Sequence, residues 1–68
     1  MKPYHAQTVF NLEQEIIVLQ EKEHRYQVMM ASPLTSPEVR QRAQVELGRT
    51  INRIQEVNGE IARLRSDL

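Results

Sequence analysis

The stretch Ala31-Ser32-Pro33-Leu34-Thr35-Ser36-Pro37-Glu38 decides the fold. It is the only segment of the chain dense in turn formers, and its two prolines break whatever regular structure precedes it. Thr35 and Glu38 fit a capping box, with Thr35 as N-cap and Glu38 reaching back to its N–H. Leu34 and Val39 then occupy the positions of a hydrophobic staple. Ser36 as N-cap with Pro37 in the first helical position is the alternative, shifted by one residue.

Outward from this break, two long segments read alike. Back to Pro3 the chain is rich in Glu, Gln, Leu, Ile and Met; beyond Pro37 it is rich in Arg, Glu, Gln, Ala and Ile. Neither segment has an internal proline. In the first, apolar residues alternate at spacings of three and four: Val9 and Ile16 at heptad position a, Leu12 and Leu19 at d. The pattern runs on through Glu23, Tyr26 and Met30, with Glu23 a charged intruder at a. The second segment repeats it with Ala43, Leu47, Thr50, Ile54, Val57, Ile61, Leu64 and Leu68. Strand alternation fits neither.

The expected fold is therefore all-α: a single antiparallel two-helix hairpin, coiled-coil-like, with helix 1 over about 3–31, a loop over about 32–35 and helix 2 over about 36–67. At a rise of about 1.5 Å per residue, each helix is roughly 40–45 Å long. A turn this short places Glu23 opposite Ala43 and Arg40 near Tyr26. Glu23 reads first as a carboxylate near the loop end, where the stripe reaches solvent, and alternatively as a specificity device that pairs with Arg40 or accepts from a Tyr26 of another copy.

A chain of 68 residues allows one small domain. Two helices bury only one stripe each, and chains this short commonly need disulfides, metal or oligomerisation to hold together. There is no Cys, hence no disulfide framework and no thiolate zinc site. The sequence instead extends its apolar stripe beyond the seam. Phe10 and Ile17 lie at b, and Ala6 and Ile51 lie at e, on the a side of their helices. Such an arc is wider than a two-stranded seam requires and suits a four-helix bundle. The expected partner is a second copy, forming a homodimer, or else another helical protein. The residues expected to build these interfaces are Phe10, Ile17 and Ile51, with the seam residues Val9, Leu12, Ile16, Leu19, Leu47, Ile54, Val57, Ile61 and Leu64.

Composition narrows the function classes. Lys plus Arg total 9 and Asp plus Glu total 9, so the formal net charge is zero, which argues against a dominantly electrostatic partner. The aromatics are only Tyr4, Phe10 and Tyr26, too few for a base-stacking platform, and two Gly residues cannot make a phosphate cradle. No apolar run approaches about 18 residues, and the opening residues lack a signal-peptide core, so no membrane contact and a cytoplasmic location are expected.

Candidate chemistry is sparse. Glu21 and His24 match the Glu-x-x-His spacing of carboxylate-bridged metal sites, but they fall at f and b, away from the seam, and a solvated histidine is the plainer reading. His5, at d, reads as an end-of-seam residue. Neither catalytic residues, a metal nor a cofactor is expected, and the chain is read as a non-enzyme. The arginines gather in helix 2. Arg42, Arg49 and Arg63 share position c, and together with Arg53 they define the alternative function, an RNA- or DNA-binding outer face. Glu38, Glu46 and Glu60 stand three or four residues before Arg42, Arg49 and Arg63, so intrahelical ion pairs account for much of that pattern. Met29 and Met30 read as a plug at the loop end, and Gly48 and Gly59 as tolerated or closely approached positions. The leading expectation is a non-enzymatic adaptor, scaffold or small regulatory subunit acting through helix–helix packing.

Overall fold

The computed structural model describes residues 3–66, with side chains from His5 onward. Two helices, α1 (Pro3–Ala31) and α2 (Pro37–Ser66), pack against each other as a hairpin. Leu68, expected in the seam, and residue 67, the expected end of helix 2, lie outside the described residues. The rod measures 49 × 14 × 12 Å between Cα atoms. Among the described residues, no helix is long and apolar enough to cross a membrane.

The turn is built from hydrogen bonds that the sequence makes available. Pro33 biases Ser32 away from helical angles, so α1 ends with the Ser32 N–H donating to the Val28 carbonyl at 3.1 Å. The Thr35 N–H then donates back to the Ser32 carbonyl at 3.3 Å, closing a four-residue turn with Pro33 second, where its fixed φ is favourable. The Leu34 N–H donates to the Ser32 hydroxyl at 3.3 Å. No described residue has a positive φ, so α1 ends without a left-handed cap. Arg40 supplies what such a cap would: its guanidinium donates to the carbonyls of Ser32 (3.1 Å) and Thr35 (3.2 Å) from the first turn of α2.

The start of α2 corrects two expectations. The Val39 N–H donates to the Ser36 Oγ at 3.3 Å, and the Arg40 N–H to the Ser36 carbonyl at 2.9 Å. Ser36 is therefore the N-cap and Pro37 the first helical residue, one position later than a Thr35 cap. The Thr35–Glu38 capping box does not form, because Glu38 is left one residue short of the reciprocal position. The Leu34–Val39 staple fails as well, for Leu34 stands 95% exposed at the tip of the turn.

The helices meet along the a/d seam. Val9, Ala43, Val57 and Ile61 are buried, and Leu12, Ile16, Leu19 and Leu64 pack against the cluster of Val9, Val57 and Ile61. Val57 is fully enclosed, at 0% exposure. Thr50 is buried too, and its hydroxyl is satisfied by donating to the Glu46 carbonyl at 2.8 Å. Bulky aliphatics fill the open half of the seam. The loop half holds the smaller Ala43 and Thr50, with the half-buried Glu23 and Tyr26.

Candidate interaction surface

In an antiparallel hairpin the e positions of the two helices flank one side of the seam and the g positions the other. Two cross-helix ion pairs fix this register. Glu13 and Arg65, both at e, approach to 3.4 Å, while Glu15 and Arg53, both at g, form a two-pronged pair at 2.7 and 3.2 Å.

The g/c flank is charged along most of α2, and its α1 positions set Glu15, Lys22 and Arg25 beside Thr8, Asn11, Val18 and Met29. Arg53 also reaches Glu56 at 3.4 Å, and Arg49 pairs with Glu46 at 2.9 Å. The hydrogen bonds that the Arg53 guanidinium donates to Glu15, and the negative charge of Glu15, with a lesser contribution from Glu56, hold Arg53 above its ordinary pKa. Of the intrahelical pairs expected from spacing, Glu46–Arg49 closes, whereas Glu38–Arg42 and Glu60–Arg63 do not come within ion-pair distance. Arg42, Arg49, Arg53 and Arg63 are all exposed on this flank, alternating with Glu46, Glu56 and the half-exposed Glu60.

The e/b flank is different in kind. Its e positions are Ala6, Glu13, Gln20 and Gln27 on α1 and Gln44, Ile51, Asn58 and Arg65 on α2. Its b positions are Phe10, Ile17, His24 and Ala31, then Gln41, Gly48, Gln55 and Ala62. Glu13 and Arg65 are the only Asp, Glu, Lys or Arg among them, and they pair with each other. Phe10 is 55% exposed and Ile17 49%, while Ile51 is half-buried beside the seam. A groove of about 290 Å³ runs along this flank, lined by Glu13, Ile16, Ile17, Asn58, Ile61 and Arg65.

The structure thus divides the residues singled out by sequence. Val9, Leu12, Ile16, Leu19, Leu47, Ile54, Val57, Ile61 and Leu64 belong to the seam of the hairpin itself. Phe10, Ile17 and Ile51 lie together on the e/b flank. Comparison with family models, with curated proteins and with solved structures finds no match for this chain. The surface therefore has to be read from its own chemistry.

The remaining candidates stay apart. Glu23 forms no ion pair or hydrogen bond among the described residues, and the expected Glu23–Arg40 pair is absent because Arg40 turns back onto the loop carbonyls. Glu21 and His24 are both exposed, and among the described residues no group of three or more His, Asp or Glu could hold a metal ion. Met29 and Met30 are half-buried at the loop end. What the sequence reading overlooked is the amide row Gln20, Gln27, Gln44 and Asn58. Its signal was available, since assigning heptad positions in both helices exposes the missing charge at b and e.

Proposed function

We propose that the protein is a non-enzymatic, cytoplasmic interaction module that acts through helix–helix packing. Its hairpin supplies two helices of a four-helix bundle, completed by dimerisation or by another helical protein. One observation carries this reading: the e/b flank gathers Phe10, Ile17 and Ile51 and has the mutually paired Glu13 and Arg65 as its Asp, Glu, Lys or Arg, while the g/c flank carries mixed charge along most of α2 and at Glu15, Lys22 and Arg25 of α1. Depletion of charge around apolar and aromatic residues is the compositional mark of surfaces that meet protein. A flank adapted to water carries mixed charges.

The nucleic-acid alternative draws less support. Arg49 and Arg53 are neutralised by Glu46, Glu15 and Glu56, so the stripe offers phosphate little net positive potential. A photo-reactive side chain placed at Ile17, and separately at Arg42, tests the two readings inside the source cell. The module reading expects protein adducts from position 17 and none from position 42. An RNA or DNA adduct from position 42, with nothing from position 17, would replace it.

A further inference from the structure

We infer that the occupant of the e/b flank is a second copy of this chain, related to the first by a two-fold axis. The inference rests on the interaction-module reading and names its partner. Three observations converge on it.

The first is what the hairpin leaves uncovered. It exposes 5117 Å², where a compact monomer of 8.0 kDa exposes about 4,500 Å² by size scaling. Among the described residues only Val9, Ala43, Val57 and Ile61 are buried apolar side chains, a small core for two helices of 29 and 30 residues. The second is size. One flank of a rod 49 Å long and 14 Å wide projects roughly 700 Å², close to the about 800 Å² that each partner contributes to a standard stable interface. A second hairpin has the same length and covers the flank from end to end.

The third is self-complementarity. Across a two-fold axis, a surface meets itself, so any net charge on it meets its own sign. Like-charge juxtaposition at an interface costs several kcal/mol. The e/b flank avoids this because its only opposite charges, Glu13 and Arg65, already neutralise each other within the chain. Its polar groups are mostly amides: Gln20, Gln27, Gln44 and Asn58. An amide both donates and accepts, so a row of them satisfies its own copy without needing a complementary partner. A flank evolved for an acidic or basic protein would carry the opposite charge. This one carries no net charge from Asp, Glu, Lys or Arg and mixes apolar side chains with amides, which suits a surface that meets itself.

The test is sedimentation equilibrium of the purified chain at micromolar concentration, with helicity followed by circular dichroism. The wild type is expected at twice the monomer mass. Ile17→Glu places two carboxylates in each interface and is expected to weaken assembly by more than about 100-fold. Arg42→Glu, on the other flank, is expected to leave the dimer intact. Should Ile17→Glu lose its helix content, Gln20→Lys provides the second reading: position 20 is exposed and outside the seam, so an added charge there weakens the dimer without entering the hairpin core. A fully helical wild-type monomer overturns the inference, as does a dimer that tolerates both substitutions. If that monomer still cross-links to another protein from position 17, the second copy falls while the module reading stands. If it cross-links to nothing, both fall.

Discussion

Ile17 and Val18 are adjacent, both are aliphatic, and in the hairpin they are exposed almost equally, at 49% and 50%. They nevertheless open onto different flanks. Ile17 lines a groove with Ile16, Asn58, Ile61 and the mutually paired Glu13 and Arg65. Val18, at c, has Glu15, Glu21 and Lys22 three or four residues away on the same helix. Exposure alone gives these two residues the same meaning, since isolated apolar side chains on a surface are ordinary. The surrounding charge separates them. A valine on a flank of mixed charge suits water, whereas an isoleucine beside a groove whose one acid and one base neutralise each other suits a protein partner, which is the contrast the proposal rests on.

The comparison can be broken or sharpened by substitution. The largest effect is expected in the seam that both flanks share. Val57→Asp leaves an unpaired carboxylate in the most enclosed site and should cost about 3–5 kcal/mol, read as loss of helicity in a urea titration. Full helicity in that variant would mean that the seam is misplaced and that the flanks are not defined by it. Next come the two cross-helix pairs. Judged from the hairpin alone, the Glu15–Arg53 pair at 2.7 Å should matter more than the Glu13–Arg65 pair at 3.4 Å. The account reverses the order. Arg65→Ala strips Glu13 of its partner on a covered flank and should weaken assembly roughly tenfold, whereas Arg53→Ala, in water, should change little. The opposite ranking would return both flanks to solvent.

At the loop, Ser36→Ala should cost about 1 kcal/mol and Thr35→Ala a few tenths, the measurement being the midpoint of thermal unfolding. The smallest effects concern the glycines. A Cβ at Gly48 or Gly59 meets nothing within 4 Å in the hairpin, so helix propensity alone would make either Gly→Ala change stabilising by about 0.4–1 kcal/mol. Gly59 lies at f and should show that gain. Gly48 lies at b on the flank proposed to receive a second chain, and is expected on that proposal to show less. Equal gains would place that end of the flank in water.

The hairpin was legible because its causes are local. Pro33 and Pro37 break the helix wherever they stand, and apolar spacing of three and four residues marks one face of a helix whatever it packs against. The cap was read one residue early. Thr35-x-x-Glu38 and Ser36-Pro37 are both valid signals, and the choice falls to the turn: the Thr35 N–H is already committed to the Ser32 carbonyl, which leaves Thr35 inside the turn and hands the cap to Ser36. Arg40 was misassigned for a related reason. Sequence register placed it near Tyr26 and Glu23, but its guanidinium donates instead to the carbonyls of Ser32, just past the end of α1, and Thr35, in a turn without a left-handed residue. The pairs Glu13–Arg65 and Glu15–Arg53 emerge only when the e positions of the two helices are set against each other, and likewise the g positions. The flank itself was half legible. Phe10, Ile17 and Ile51 stood out as surplus apolar residues, while the absence of charge beside them emerges only once both helices share one register.

The most direct test of the central claim compares the same two neighbours in solution. Methyl groups of the purified chain can be followed by NMR while a soluble paramagnetic agent is added, which broadens each signal according to its contact with water. Covered by a second chain, the Ile17 methyls should be strongly protected and the Val18 methyls fully relaxed, despite their matching exposure in the hairpin. Equal relaxation of Ile17 and Val18 would contradict the account.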